Sequence, residues 1–381
     1  MTGVRVSFIV TDLRSGGAET MLYRLLGGLD RQRFKSSVIA LSGGPLVDKI
    51  SALGLEVRDL GMSPGFPNPL ALMRLLGWLK GQQPQLVQTW MYHADLLGGL
   101  AARIAGVDAL VWGIRNHTLD ARLLKRSTRM IARTCAWFSA CLPDRIVANS
   151  EAAMQVHAAF GYFESKMQVI PNGFDTGAFH PDEDAKQEVR EELGIDPRAP
   201  VIGFFARFDP MKDHQNFVQA AGVLHADMPQ VHYLLCGEGI TWQNSELVKW
   251  IEAEGAGGHF HLLGGRGDMP RLTAALDLAT TASSSEAFPN VIGEAMACGL
   301  PCVVTDVGDS RVLVGNTGRA VPPRDPGALA ASWGEILKMP SEQRAALGAA
   351  ARRRIEEHYS LSAMVGRYER LYLGLLEENG A

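Results

Sequence analysis

The chain has 381 residues, 46% of them hydrophobic and 20% charged, which excludes intrinsic disorder and supplies enough apolar surface for two cores of ordinary size. The net charge of −4 conceals an asymmetry, because residues 1–174 carry 19 Lys+Arg against 12 Asp+Glu while residues 175–381 carry 18 against 29. A basic first half (+7) and an acidic second half (−11) point to an acidic partner for the first, such as a phospholipid surface, a lipid diphosphate or an anionic glycan. No zinc-finger or RNP-type motif accompanies that charge, so nucleic acid is not the expected partner.

The N-terminal stretch reads as a buried strand, without the basic n-region or small-residue cleavage site of a signal peptide. No apolar run approaches the roughly 20 residues that span a bilayer. The five cysteines, Cys135, Cys141, Cys236, Cys298 and Cys302, are odd in number and include no CxxC, which is the usage of reduced thiols in the cytoplasm. Short Val- and Ile-rich runs at 4–10, 37–41, 55–60, 86–90, 109–114, 145–149 and 167–170 predict strands, with amphipathic helices between most of them. After the turn Pro171-Asn172-Gly173 the pattern restarts, with strands expected at 200–207, 231–237, 259–263, 278–282, 301–306 and 319–321. Such alternation predicts an α/β protein of two Rossmann-like, doubly wound parallel-sheet domains facing across a cleft. The expected domains are 1–174 and 175–359, with a helix at about 360–381 that could pack back on the first.

Chemistry concentrates at three places. The stretch from Ser283 to Gly299 leaves the strand at 278–282 and feeds into a helix, with Pro289 at its start and Gly299 at its end. Glu286 precedes that helix and Glu294 lies about one turn inside it, so one carboxylate can accept from sugar hydroxyls and the other from a ribose. Two solvated glutamates beside a helix start would look the same. Arg207 ends an apolar strand and Lys212 opens the next helix, where two cations can neutralise a diphosphate leaving group; the plain alternative is a pair of surface cations. Ser15-Gly16-Gly17-Ala18-Glu19 is a glycine turn between strand and helix that lets backbone approach a ligand, and it is equally an ordinary strand-to-helix turn.

The order and spacing of these motifs, with Asn149-Ser150, Pro171-Asn172-Gly173-Phe174-Asp175, Cys236-Gly237-Glu238-Gly239 and Glu294-Ala295-Met296-Ala297-Cys298-Gly299-Leu300-Pro301, resemble the family 4 retaining glycosyltransferases of GT-B fold, the glycosyl transferases group 1. The resemblance runs from about residue 4 to residue 323. It implies transfer of a sugar from a UDP- or GDP-sugar to a glycan or lipid-linked acceptor, with retention of configuration and without metal or cofactor. In that reading Arg207 and Lys212 hold the diphosphate, Glu286 the sugar and Glu294 the ribose. Gly16, Gly17, Ala287, Phe288, Asn290 and Val291 lie near the phosphates or sugar, Gly265 and Arg266 beside the base, and His117 touches the sugar. Two departures stand out: Ala287 replaces the usual glycine after the first glutamate, and Arg115 precedes His117 where many relatives have no arginine. A sugar-nucleotide epimerase of the same fold and a non-catalytic pseudo-transferase are the alternatives. A phosphorylase would need a pyridoxal-phosphate lysine, for which no signature is present.

Asp182-Glu183-Asp184 spells the metal motif of another glycosyltransferase fold, but it sits in a charged linker and reads as an acidic helix start. Cys298, Cys302, His259 and His261 lack zinc spacing. His93 follows a strand and could approach an acceptor or simply pack. Within 121–141, Arg122, Lys125, Arg126, Arg129 and Arg133 form one helical stripe, which suits an anionic membrane surface and equally a solvated helix face. A cytoplasmic protein, peripheral on the inner face of the membrane where this stripe docks, is the expectation.

Overall fold

The structure, a computed structural model, describes residues 3–14, 16–62, 69–116, 118–120 and 124–380. It divides into two compact units, Met1–Gly173 with Leu361–Ala381, and Phe174–Ser360. In the first unit the strands are β1 (Val4–Asp12), β2 (Phe34–Ser42), β3 (Glu56–Asp59), β4 (Leu86–Trp90), β5 (Ala109–Ile114), β6 (Arg145–Ala148) and β7 (Met167–Val169). They alternate with α1 (Gly17–Gly28), α2 (Leu46–Ala52), α3 (Pro69–Gln82), α4 (Tyr92–Ala105), α5 (Arg126–Phe138) and α6 (Glu151–Phe160). The second unit carries α7 (Glu183–Leu193), β8 (Val201–Phe205), α8 (His214–Asp227), β9 (His232–Cys236), α9 (Ser245–Ala253), β10 (Phe260–Leu262), α10 (Met269–Ala274) and β11 (Leu278–Thr280). It closes with α11 (Asn290–Ala297), β12 (Cys302–Thr305), α12 (Ser310–Val314), β13 (Gly318–Val321), α13 (Pro326–Leu337) and α14 (Ser341–His358), before α15 (Leu361–Glu378).

The sheets run β3-β2-β1-β4-β5-β6-β7 and β10-β9-β8-β11-β12-β13, with every pairing parallel. Parallel central strands have helices on both faces and so read as unbroken apolar runs, as the fully buried β5 and β8 do, while the equally buried β4 carries Gln88 and Thr89. Each sheet reverses its direction of growth once, between β1 and β4 and between β8 and β11, and such switch points are where open parallel sheets receive ligands.

α15 is continuous in sequence with the second unit but packs on the first. Tyr368 and Tyr372 are fully buried against Phe8, Phe34 and Trp90. The Tyr372 hydroxyl donates to Gln88 Oε1 at 3.1 Å, which settles the buried amide of β4. Arg115, just past β5, lies 3.7 Å over the Trp90 ring and donates to the Tyr368 hydroxyl and to Asn172 Oδ1. The arginine that departs from the family pattern is therefore part of the clasp holding the C-terminal helix.

Behind β4 sits a wholly buried carboxyl. Asp95 Oδ1 accepts from Thr89 Oγ1 at 2.5 Å and from the Gly113 N–H at 3.3 Å, while Oδ2 has no partner among the described residues. Burial pushes its pKa up to about 7, against the lowering effect of those bonds and of Arg115. The raised value makes ionisation a cost to folding: absent below pH 3.8, growing by about 1.4 kcal/mol per pH unit, and constant above about pH 7. Asp95→Asn retains the acceptor oxygen and removes the charge. Its stability relative to wild type should therefore rise between pH 4 and pH 8, by on the order of 4 kcal/mol. Denaturant unfolding across that range checks this, and a difference independent of pH would contradict the charge-burial account.

Candidate active site

The carboxyl ends of β8 and β11 flank the second switch point and carry the cationic and acidic residues singled out in the sequence. β8 stops at Phe205, so Arg207 stands two residues beyond the strand rather than at its end. Lys212 closes a short 3-10 turn, Pro210–Lys212, and α8 begins only at His214, so Lys212 precedes the helix instead of opening it. Asp209 organises the segment that carries both residues. Its Oδ1 accepts from the Met211 N–H at 2.9 Å and so caps the turn, while Oδ2 accepts from Arg207 Nε at 3.2 Å and Nη2 at 3.0 Å. Burial works against ionisation of Asp209, but the Met211 amide and the Arg207 guanidinium prevail and hold its carboxyl below the usual range. Asp209 was not among the residues read from the sequence, although an acid directly before a proline is a recognisable cap signal. The neighbouring chain comes close enough that only glycine fits: a Cβ on Gly237 would lie 2.1 Å from the Ala206 carbonyl oxygen.

The loop after β11 is stitched to this turn. The Ser284 N–H donates to the Met211 carbonyl at 2.9 Å. Lys212 Nζ reaches Glu286 Oε1 at 2.5 Å, and Ser283 Oγ donates to the same oxygen at 2.8 Å. The side chains of Lys212 and Glu286 are 23% and 12% exposed, so this pair is only partly screened, whereas Arg207 is 55% exposed and open to an incoming ligand. Gly308, at φ +56°, lies under the Glu286 carbonyl, 2.0 Å from where its Cβ would stand, and the Asp309 N–H donates to Ala287 O at 3.0 Å. A second loop thus fixes the backbone at Glu286 and Ala287.

Pro289 stands at the cap position, one residue before α11, and Gly299 follows the helix end at φ +73°. Among the described residues no side chain caps the α11 start, and helix starts of this kind favour anions. Asn290 and Val291 form that first turn, and Glu294 lies one turn further along, half-buried. The Phe288 side chain turns away into the core and stacks on Phe174. The same Phe174 ring fills the space above Gly293, where a Cβ would meet it at 2.0 Å.

Near the ends of β9 and β10, the Gly237 N–H donates to Gly264 O and the Gly264 N–H to Ile240 O, at 2.8 and 2.7 Å. Gly265 has open space where a side chain would be. The Arg266 guanidinium is committed elsewhere: Asp268 takes it at 2.8 and 2.7 Å and Glu192 at 3.0 Å. That bidentate pair pulls Asp268 down to a pKa of about 2. The Arg266 side chain is thus committed to carboxylates of its own unit.

In the first unit, Gly17 opens α1, and a Cβ on Gly16 would lie 2.3 Å from the buried Glu19 carboxylate. Met91, at φ +75°, makes a strained turn out of β4, and burial lowers the pKa of the nearby His93 against an opposing effect from Asp12. His117 lies outside the described residues, as do Ser15 and Arg122. Asp182 caps α7 by accepting from the Ala185 N–H at 2.9 Å, so the D-x-D triplet is a helix start. Among the described residues no three His, Cys, Asp or Glu side chains converge as metal ligands, and no helix is long and apolar enough to cross a membrane.

Two family sequence profiles match the chain: "Glycosyltransferase Family 4" over residues 15–178 and "Glycosyl transferases group 1" over residues 185–354, one to each unit. The chain belongs to the group 1 glycosyltransferases. It is 25% identical, over 78% of this chain and 81% of the relative, to the UDP-Gal:alpha-D-GlcNAc-diphosphoundecaprenol alpha-1,3-galactosyltransferase of Escherichia coli. It is 26% identical to the putative glycosyltransferase EpsF of Bacillus subtilis, over 79% of each chain. The glycosyltransferase fold is shared with HepE of Anabaena, solved in complex with UDP and glucose, at a TM-score of 0.86 over 97% of this chain and 100% of that one, with 23% identity. A glycosyltransferase from Rickettsia africae shares it at a TM-score of 0.83, covering 98% and 99% of the two chains at 19% identity. The enzyme transfers sugars.

Proposed function

We propose that this glycosyltransferase takes its sugar from a UDP- or GDP-sugar and passes it to a glycan or lipid-linked acceptor at an anionic membrane surface, retaining the anomeric configuration and using neither metal nor cofactor. The observation that carries the donor reading is the Lys212–Glu286 pair at the β8/β11 switch point, with Arg207 beside it and α11 starting four residues on. Two cations and a helix start supply the positive charge that a departing diphosphate requires. In the proposed step the bond from the anomeric carbon to the diphosphate oxygen breaks as the acceptor hydroxyl forms its bond on the same face. The hydroxyl proton passes to the departing diphosphate oxygen, so no protein nucleophile is consumed. Glu286 accepts from sugar hydroxyls and fixes the anomeric carbon, and Glu294 accepts from the ribose. Backbone at Ala287, Phe288, Asn290 and Val291 borders the sugar and phosphates, and that at Gly265 and Arg266 borders the base. The reading draws support from HepE, whose structure contains UDP and glucose, and from the Escherichia coli relative, which acts on a diphosphoundecaprenol-linked sugar.

A thermal-shift panel of UDP-, GDP- and ADP-sugars tests the donor class, because a ligand of the folded state raises its melting temperature by mass action. Glu294→Gln should raise KM for the donor roughly tenfold while leaving kcat nearly unchanged, since the ribose contact is the same in ground and transition states. If the free nucleoside diphosphate binds this variant as tightly as wild type, the ribose role is wrong.

A further inference from the structure

α5 combines features that its position in the sheet does not require. One face, Ala132, Cys135 and Ala136, is buried in the core. On the opposite side Met130 is 68% exposed and Trp137 75%, with Phe138 also open to solvent. Met130, Arg133 and Trp137 follow at spacings of three and four, so large apolar side chains and arginine share one outward stripe. Residues 126–138 include no acid.

Beside this stripe is a cavity of about 440 Å³ lined by Leu124, Arg126, Arg129, Met130, Arg133 and Phe160. The Arg133 guanidinium lies 4.4 Å from the Phe160 ring centroid and that of Arg129 5.8 Å away. Each is anchored to backbone, Arg129 Nε donating to Leu119 O at 3.2 Å and Arg133 Nη1 to Phe160 O at 3.4 Å. A guanidinium has five N–H donors, so most remain available. Among the described residues none of the three arginines is paired with a carboxylate.

We propose that α5 docks on an anionic phospholipid bilayer, with a lipid phosphate seated among Arg126, Arg129 and Arg133 while Met130 and Trp137 enter the acyl boundary. Guanidinium forks match phosphate oxygens. The apolar wall of Leu124, Met130 and Phe160 favours an anion that carries hydrocarbon over a bare hydrated one. An exposed tryptophan beside a basic stripe suits the headgroup level. This deepens the membrane-surface part of the proposed function and rests on it for its purpose, although docking is measured without turnover.

The test is co-sedimentation with vesicles of phosphatidylglycerol and phosphatidylcholine, or of phosphatidylcholine alone, across a salt series. Wild type should bind the anionic vesicles and release them as salt rises. Arg129→Gln with Arg133→Gln should weaken binding roughly 30-fold, given the usual contribution of a basic residue near such a surface. Lys49→Gln with Lys80→Gln removes the same charge from exposed positions elsewhere on the first unit and should change binding less than about twofold. Because the arginines also brace Phe160, Trp137→Gln serves as a second variant. It is exposed, should fold as wild type, and should weaken binding at every salt concentration. Equal binding to both vesicle types, arginine variants that match the lysine control, or saturation by inorganic phosphate without vesicle binding would each overturn the proposal. A nucleotide-sugar thermal shift that persists in the same samples shows that the donor reading survives such a failure.

Discussion

Lys212→Ala is expected to lower kcat by roughly 10²–10³-fold, the scale for losing one preorganised charge-stabilising group. In the free enzyme this ammonium is held by Glu286 at 2.5 Å, so it is already in place when a diphosphate arrives and needs no reorganisation. Its charge matters most when the diphosphate leaves, which puts the loss on kcat more than on KM. The side chain is partly exposed and is not part of a core, so the melting temperature should move little. Arg207→Ala should behave similarly, whereas Arg207→Lys should recover part of the rate, because a lysine keeps the charge but not the fork that Asp209 orients. Single-turnover measurements at saturating donor check both. A kcat within twofold of wild type for Lys212→Ala would remove it from the reaction.

Glu286→Gln should lower kcat by about 10²-fold through loss of the charge that orients the sugar hydroxyls. The amide oxygen can still accept from Ser283, and Gly308 and Asp309 still brace the backbone, so the loop should keep its shape. A second consequence separates an electrostatic role from a merely structural one. With the carboxylate gone, Lys212 is no longer neutralised, and free nucleoside diphosphate should bind several-fold more tightly. Product-inhibition kinetics read this directly. A lower kcat with weaker diphosphate binding would instead indicate a collapsed loop.

The strands were legible because parallel strands buried on both faces are written in largely continuous apolar runs, as Ala109–Ile114 and Val201–Phe205 are. β2 extends earlier than its apolar centre suggests because Phe34 and Lys35 continue the register with Val4 and Arg5. The acid-rich start of α7 and the Pro289 and Gly299 ends of α11 were readable from local cap chemistry. Periodicity announces α15, but its destination rests on pairs far apart in sequence, Arg115 with Tyr368 and Gln88 with Tyr372, which no local pattern encodes. Likewise, strand-end position and family resemblance singled out Arg207, Lys212, Glu286 and Glu294, while the direct bond between Lys212 and Glu286 joins loops 74 residues apart. The bracing roles of Asp209, Ser283 and Gly308 follow from that closure and emerge only with the fold. The outward direction of Trp137 was also undecidable in sequence, since an aromatic next to alanine and cysteine suits a core equally well.

The central claim, metal-free transfer with retention from a nucleotide sugar, is tested most directly by following the reaction by proton NMR in EDTA. The donor is the sugar nucleotide that gives the largest thermal shift, and the acceptor is a lipid-linked saccharide. An α-linked donor should yield an α-linked product at a rate that EDTA leaves unchanged. A β-linked product, or a reaction that stops in EDTA and resumes only with Mg²⁺ or Mn²⁺, would contradict the roles given to Arg207, Lys212 and Glu286.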